Sequence, residues 1–292
     1  MKNTTLAFML ALLVATSRAQ SADAAGETPL PRGPILLLAG EGAPSGLTGR
    51  LKLNADQTAG AYGLIERLNA KVEGPNPHNH SHLEEAWYVI DGELEFQSKA
   101  TQYRAGPGTF VLIPSGVDHR FWADPGKTPS YLLIVTPGGF ANFFQERLTL
   151  PGRDPNKPFS AQSPEVMREI DDLAAKYGAG PSEHPSDAPP VVVPPSKNGV
   201  TASGRVIADR ERTRGGYMLV ESGARGSRRH ARTSSDDDQA WYLLAGELSF
   251  EVDGKQLVAP VGACVFIPRG NAYRYWSSSK VPPRYLLITS HG

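Results

Sequence analysis

The chain predicts an all-β protein, two tandem β-barrels of the double-sheet jelly-roll type joined by a partly helical connector. Three observations carry this. The 292 residues include 30 glycines and 25 prolines, and turn residues at that density punctuate many short strands. Helical periodicity is confined to one region, while short apolar runs alternate elsewhere. The chain also repeats itself. Ala86-Trp87-Tyr88-Val89-Ile90-Asp91-Gly92-Glu93-Leu94-Glu95-Phe96 returns 154 positions later as Ala240-Trp241-Tyr242-Leu243-Leu244-Ala245-Gly246-Glu247-Leu248-Ser249-Phe250. The same shift aligns Gly108 with Gly262, Pro114 with Pro268, Gly116 with Gly270, and Tyr131-Leu132-Leu133-Ile134 with Tyr285-Leu286-Leu287-Ile288. Upstream, Gly60–Glu66 matches Gly215–Glu221 one residue out of register. A repeat of this length is a whole domain used twice, and two copies of a short-stranded unit suit closed double sheets.

In chain order, the first 25 residues read as an export signal. Lys2 supplies the positive start, Leu6–Ala15 the apolar run, and Ser17-x-Ala19 or Ala22-x-Ala24 a small-residue cleavage site. The run is too short to anchor in a bilayer. The expectation is a secreted or periplasmic protein with no membrane contact once the signal is removed. Residues 26–136 form the first barrel, 137–198 the connector and 199–292 the second barrel. Formal net charge is zero, which offers no footprint for nucleic acid. Cys264 is the single cysteine, so no internal disulfide forms. It lies in an apolar strand and reads as a small buried hydrophobe.

The chemistry concentrates in the first copy. Pro77-His78-Asn79-His80-Ser81-His82-Leu83-Glu84-Glu85 is followed, past Gly108 and Pro114, by Val117-Asp118-His119. His78 and His80 alternate with period two and leave one face of a strand. A bend before Glu85 returns a carboxylate to that face, and Asp91-Gly92 reads as a hairpin turn. Gly108, Pro114 and Gly116 turn the chain back so that His119 arrives from a neighbouring strand. His78, His80, Glu85 and His119 together suit a divalent transition metal, and four protein ligands leave room for water, substrate or dioxygen. His82 continues the alternation and is a candidate for the same pocket. Asn79-His80-Ser81 matches a glycosylation sequon, which a ligand histidine inside it argues against.

These residues resemble the two signature motifs of the cupin superfamily, H-x-H-x3–4-E-x6-G and G-x5-P-x-G-x2-H-x3-N. Gly74 stands nearer His78 than the motif's leading glycine, and Ala123 occupies the final asparagine position. Neither position is a ligand. The connector extends the likeness: Pro137-Gly138-Gly139-Phe140, Phe143-Phe144 and Ala174-Ala175-Lys176-Tyr177-Gly178 resemble the bacterial quercetin-dioxygenase-like cupins over about residues 45–180, and the second copy makes the chain a bicupin. The connector itself predicts a helix over 139–148 with an aromatic side. A second helix is capped by Ser163 with Pro164 in its first turn and ended by Gly178. An extended Pro-rich tether follows at 189–195.

The resemblance implies one divalent metal per chain (Fe, Mn, Ni, Co or Cu) held by His78, His80, Glu85 and His119, with Glu85 also able to accept a substrate proton. It implies a dioxygenase acting on a phenolic, flavonol-like or enol-type small molecule, with dioxygen as co-substrate. A metal-dependent isomerase, cyclase, lyase or decarboxylase, or a non-catalytic binding protein, stays open. A homodimer is the family-level expectation. Alternation selects Trp87, Phe110, Leu112 and Phe121 as walls of a substrate pocket, with Glu66 and His82 as further polar candidates. In the second copy the shift of 154 places Arg232, Ser234, Gln239 and Tyr273 at the ligand positions, so no metal is expected there. Arg225, Arg228, Arg229, His230 and Arg232 precede Asp236-Asp237-Asp238 and read as a solvated loop of offsetting charge.

Overall fold

The structure is a computed structural model that describes residues 33–291 apart from 47, 155–156, 158–160, 180, 183, 198–203, 224–232 and 278. The signal segment and the basic run from Arg225 to Arg232 lie outside the described residues. The chain is all-β, with two barrels and a helical connector. Each barrel closes a large sheet over a three-stranded one. In the first, the large sheet runs in the order Val191–Val193, Phe110–Ile113, Glu84–Asp91, Ser130–Thr136, Gly63–Arg67, Gly49–Leu53 and Ala43–Pro44. The small sheet is Thr101–Ala105, Leu94–Ser98 and His119–Trp122. The second barrel repeats this plan around the central strands Asp238–Ala245 and Arg284–Ser290.

Strand alternation sorts side chains into three cores. On Glu84–Asp91, Trp87 and Val89 face the interior of the first barrel with Ile65, Val111, Ile113 and Leu133. Ala86 and Tyr88, pointing the other way, join Leu64, Phe110 and Leu112 in a layer shared with Tyr217, Tyr242 and Phe266 of the second barrel. The interior of the second barrel forms the third cluster, around Trp241 and Phe250. The large sheets are thus buried on both faces, which explains why their central strands read as near-continuous apolar runs.

Phe110 and Leu112 were expected in a substrate pocket and belong instead to the layer between the barrels. Alternation assigned them correctly to one face, but Val111 and Ile113 own the interior face. Glu66 is also misplaced by the sequence reading. Its side chain faces the same layer, where it pairs with Lys52 at 3.2 Å, both side chains essentially inaccessible, and accepts a 2.8 Å hydrogen bond from the Tyr242 hydroxyl. The contact is reciprocal: Tyr88 donates to Glu221 of the second barrel at 3.2 Å. Tyr62 and Tyr217, equivalent in the repeat, meet across the layer with ring centroids 5.8 Å apart.

The two halves also exchange strands. Ile35–Leu37 pairs antiparallel with Cys264–Ile267 of the second barrel, and Val191–Val193 pairs with Phe110–Ile113 of the first. The tether expected at 189–195 therefore contains a β-strand: prolines flank it, but Val191–Val193 keeps its backbone donors and lies along an open sheet edge. Cys264 is buried in this arrangement, and burial pushes its thiol up to about 12.

The connector caps the open end of the first barrel. The helix expected over 139–148 divides into a 3-10 turn at Gly138–Asn142 and a short helix at Phe143–Glu146. The helix Pro164–Lys176 begins as expected, with Ser163 Oγ accepting from the Val166 amide at 3.3 Å. Val166 and Ile170 pack into the first barrel's core with Phe140, Phe143 and Phe144. No described helix is long and apolar enough to cross a membrane.

Candidate metal centre

Three backbone devices bring the four candidate ligands together. His78 and His119 form an isolated antiparallel bridge, with amide-to-carbonyl hydrogen bonds of 3.0 and 2.8 Å in the two directions. The Gly116 amide donates to the His80 carbonyl at 2.7 Å. Gly116 has φ +79°, and a Cβ there would lie 2.8 Å from the His184 carbonyl oxygen, so only glycine fits the turn. Gly74, out of place relative to the signature motif, is equally constrained: a Cβ would meet the Phe121 carbonyl oxygen at 1.8 Å. That close approach lets the segment before His78 lie against the strand that carries His119.

Each imidazole is held by its Nδ1 side. His78 Nδ1 lies 2.9 Å from the Asn76 carbonyl, His119 Nδ1 2.8 Å from the Val117 carbonyl, and His80 Nδ1 3.4 Å from the Ala179 carbonyl. A carbonyl only accepts, so Nδ1 carries the proton and Nε2 turns its lone pair inward. Glu85 Oε2 stands 3.3 Å from His80 Nε2 and 3.2 Å from His119 Nε2. The four donor atoms lie within 4.8 Å of one another. Ligands about 2.0–2.2 Å from a common ion are at most about 4.4 Å apart, so the set needs only slight contraction. Acceptors turned toward one another in a buried chamber require a cation or a proton between them. The donor chemistry therefore fits a divalent transition metal.

Electrostatics agree. Burial and the neighbouring His119 hold the His78 imidazole down at about 4. Burial alone would raise the Glu85 carboxyl, but whenever a proton stands between it and the Nε2 atoms of His119 and His80 the charged rings outweigh burial and keep it well below the usual carboxylate range. Both groups thus stay in their ligating forms at neutral pH.

The surroundings correct the expected pocket further. Trp87 lies beside the centre, its ring 6.2 Å from that of His119, and Phe121 stands 4.9 Å from Trp87. The buried Trp87 Nε1 has no hydrogen-bond partner among the described residues. Phe110, Leu112 and Glu66 face away, as described above. His82 is exposed and lies outside the four-residue group, because the chain bends toward Glu85 at that point. Phe140, on the aromatic side of the connector, packs in the first barrel's core with its ring 5.8 Å from that of His80. Ala179, beyond the helix Pro164–Lys176, contributes a carbonyl that the sequence did not signal. Asn79 hydrogen-bonds Asp118 and the Ser182 amide, which ties this loop to the connector.

The second barrel aligns differently from the expectation. Thr233 forms the bridge to Tyr273 that His78 forms to His119, and Ser235 accepts from Gly270 as His80 does from Gly116. The register is therefore 155 here and returns to 154 at Gln239, because this loop is one residue shorter. The equivalents are Thr233, Ser235, Gln239 and Tyr273, in place of the Arg232 and Ser234 expected for the first two. The Tyr273 hydroxyl donates to Gln239, so two of the lost ligand positions satisfy each other.

A cupin-domain family model matches residues 65–136 and again 216–289. No curated protein sequence matches the chain significantly. Among solved structures, a variant of salicylate 1,2-dioxygenase from Pseudoaminobacter salicylatoxidans is similar at a TM-score of 0.55 and 13% identity, over 89% of this chain and 85% of that one. Procruciferin, an 11S globulin from Brassica napus, gives 0.55 and 13% over 89% and 84%. A variant of oxalate decarboxylase from Bacillus subtilis gives 0.51 and 15% over 83% and 72%. At such identities the likeness is one of fold.

Proposed function

The chain belongs to the cupin family, and on that premise we propose that it is an exported metal-dependent dioxygenase acting on a phenolic, flavonol-like or enol-type small molecule. One observation carries the reading: three Nε2 lone pairs and the Glu85 carboxylate converge in one buried chamber. His78, His80, Glu85 and His119 would hold a single divalent metal, Fe, Mn, Ni, Co or Cu. When bound, such an ion supplies a Lewis acid that favours the enolate or phenolate form of the substrate. Glu85 is the only carboxylate of the group and the residue able to take the hydroxyl proton at Oε2. Trp87, Phe121 and Phe140 wall the chamber and exclude water, and the Trp87 Nε1–H offers a donor to a substrate oxygen. The fold neighbours include a dioxygenase and a decarboxylase, which supports an enzyme while leaving the reaction class to experiment.

The test is metal analysis of protein purified without added metal, then oxygen uptake with phenolic and enolic substrates. One equivalent per chain with metal-dependent oxygen consumption supports the proposal. Turnover that persists under strict anaerobiosis would move the enzyme to the isomerase, lyase or decarboxylase class. No metal after reloading would remove the enzymatic reading.

A further inference from the structure

Arg214, a residue of the second barrel, reaches the part of the first barrel that carries the candidate ligands. Its Nε lies 2.9 Å from Glu84 Oε1, and its Nη1 donates to Ser115 Oγ at 2.7 Å. Both contacts fall beside ligand positions. Glu84 precedes Glu85 on the strand Glu84–Asp91. Ser115 precedes Gly116, whose amide holds the His80 carbonyl. One guanidinium thus ties two ligand-bearing segments to each other, and its planar fork of donors fixes their relative placement. Glu84 is buried, and its other oxygen, Oε2, has no hydrogen-bond partner among the described residues. Among those residues Arg214 is the cation within ion-pair distance of this carboxylate.

The second barrel builds the same couple by itself. At the shift of 154, Glu84 corresponds to Asp238 and Ser115 to Arg269. Arg269 Nη2 lies 3.0 Å from Asp238 Oδ2, and its Nε 3.2 Å from Oδ1. Both repeats therefore pair a buried acid with a guanidinium. In the second it comes from that repeat's own Pro-x-Gly turn; in the first it comes from the other barrel. The turn that supplies Arg214 has a counterpart around Ala59, 155 positions earlier. Both residues are left-handed, with φ +48° and +51°. In both turns a threonine hydroxyl, of Thr213 or Thr58, donates to the carbonyl of Tyr217 or Tyr62. Of these two like turns, one carries a side chain able to cross to its neighbour. A Cβ at Gly216 would lie 2.6 Å from Thr136 Cγ2, and Thr136 stands opposite Glu84, so this turn is seated on the strands of the metal site. The Arg214 side chain is 60% exposed, so the ion pair itself adds little to stability. Its effect is on where the ligands stand, and partners outside the ligand set govern metal affinity in that way.

We infer that Arg214 is a positioning residue for the metal centre, a brace through which the barrel without ligands sets how tightly the other holds its ion. The inference rests on the function proposed above in needing a metal there; the brace can also be tested without one.

Cobalt(II) alone is the probe, added to metal-free full-length protein and followed by visible absorption and by competition with a chelator. Arg214→Ala should weaken cobalt binding about tenfold or more and alter the visible bands, with the melting temperature of the metal-free protein close to that of the wild type. Arg214→Lys, which offers a single point charge, should recover part of the loss. Ser115→Ala should weaken binding as well, and combining it with Arg214→Ala should add nothing further, because the two residues act as one contact. Arg214→Ala combined with Ser115→Arg rebuilds the arrangement of the second barrel and should restore binding. Unchanged cobalt affinity and bands in Arg214→Ala, or losses that simply add in the double alanine variant, would overturn the brace. Wild-type protein that takes up no cobalt would remove the metal reading instead. The brace then stands or falls on amide exchange at Gly116 in the metal-free protein: faster exchange in Arg214→Ala upholds it, and unchanged exchange overturns it.

Discussion

Glu85 Oε2 is close to two imidazole nitrogens at once, so neutral rings and a carboxylate leave that point in need of positive charge. His80→Ala removes one of the four donors and should reduce bound metal to background by mass spectrometry, with activity lost. Tyr273→Ala, in the second barrel, should leave metal content at the wild-type value; a drop would mean that the site has been assigned to the wrong barrel. Protons compete with metal for the same nitrogens. In the metal-free protein His78 is held at about 4 against 6.5 for an ordinary imidazole. The unfolded chain therefore takes up the proton first as pH falls from 6.5 toward 4, and stability is lost across that window, by at most about 3 kcal/mol. Urea midpoints of the metal-free protein at about pH 7 and about pH 5 measure this; equal midpoints would contradict it. Spacing made these four residues legible, because period two and a Gly-Pro-Gly turn are local instructions. It did not reveal the carbonyl of Ala179 or the ring of Phe140, whose approach to His80 depends on how the connector folds back.

At the scale of elements, alternation told apart the two faces of each strand but not which face was which. Phe110 and Leu112 share a face with Tyr88, and only the presence of a second barrel decides that this face is buried against protein rather than open to substrate. The exchanged strands were illegible for a related reason. Ile35–Leu37 and Val191–Val193 are three-residue segments whose partners are far away in sequence, and nothing local distinguishes them from a tether. Removing residues 33–38 should bare the edge strand Cys264–Ile267 and lower the melting temperature, at about 2–4 °C for each kcal/mol lost. An unchanged melting temperature would show that the pairing contributes little. Gly116→Val should be worse than this local loss suggests, because it forces a Cβ toward the His184 carbonyl and displaces the His80 loop. Reduced metal affinity in a protein that remains folded by circular dichroism is the expected signature.

For the molecule as a whole, the layer shared by the two barrels should make them unfold as one cooperative body. Tyr242→Phe should cost about 1–3 kcal/mol, since it strips a hydrogen bond from the buried Glu66, although Tyr242 belongs to the barrel without ligands. Tyr88→Phe should cost a similar amount through Glu221. Chemical denaturation followed by tryptophan emission and by circular dichroism should give coincident transitions; two separated steps would show that the barrels unfold independently. The strand exchange also bears on the history of the chain. Duplication leaves a spare copy free to drift, and in the second copy Thr233, Ser235, Gln239 and Tyr273 stand where the first has its four candidate ligands. Because Ile35–Leu37, ahead of the first barrel, completes the sheet of the second, and Val191–Val193 of the connector completes that of the first, a cut at the head of either repeat would leave one sheet an edge strand short. A chain cut back to its metal-site barrel would lose the protein surface that covers Ala86, Tyr88, Phe110 and Leu112.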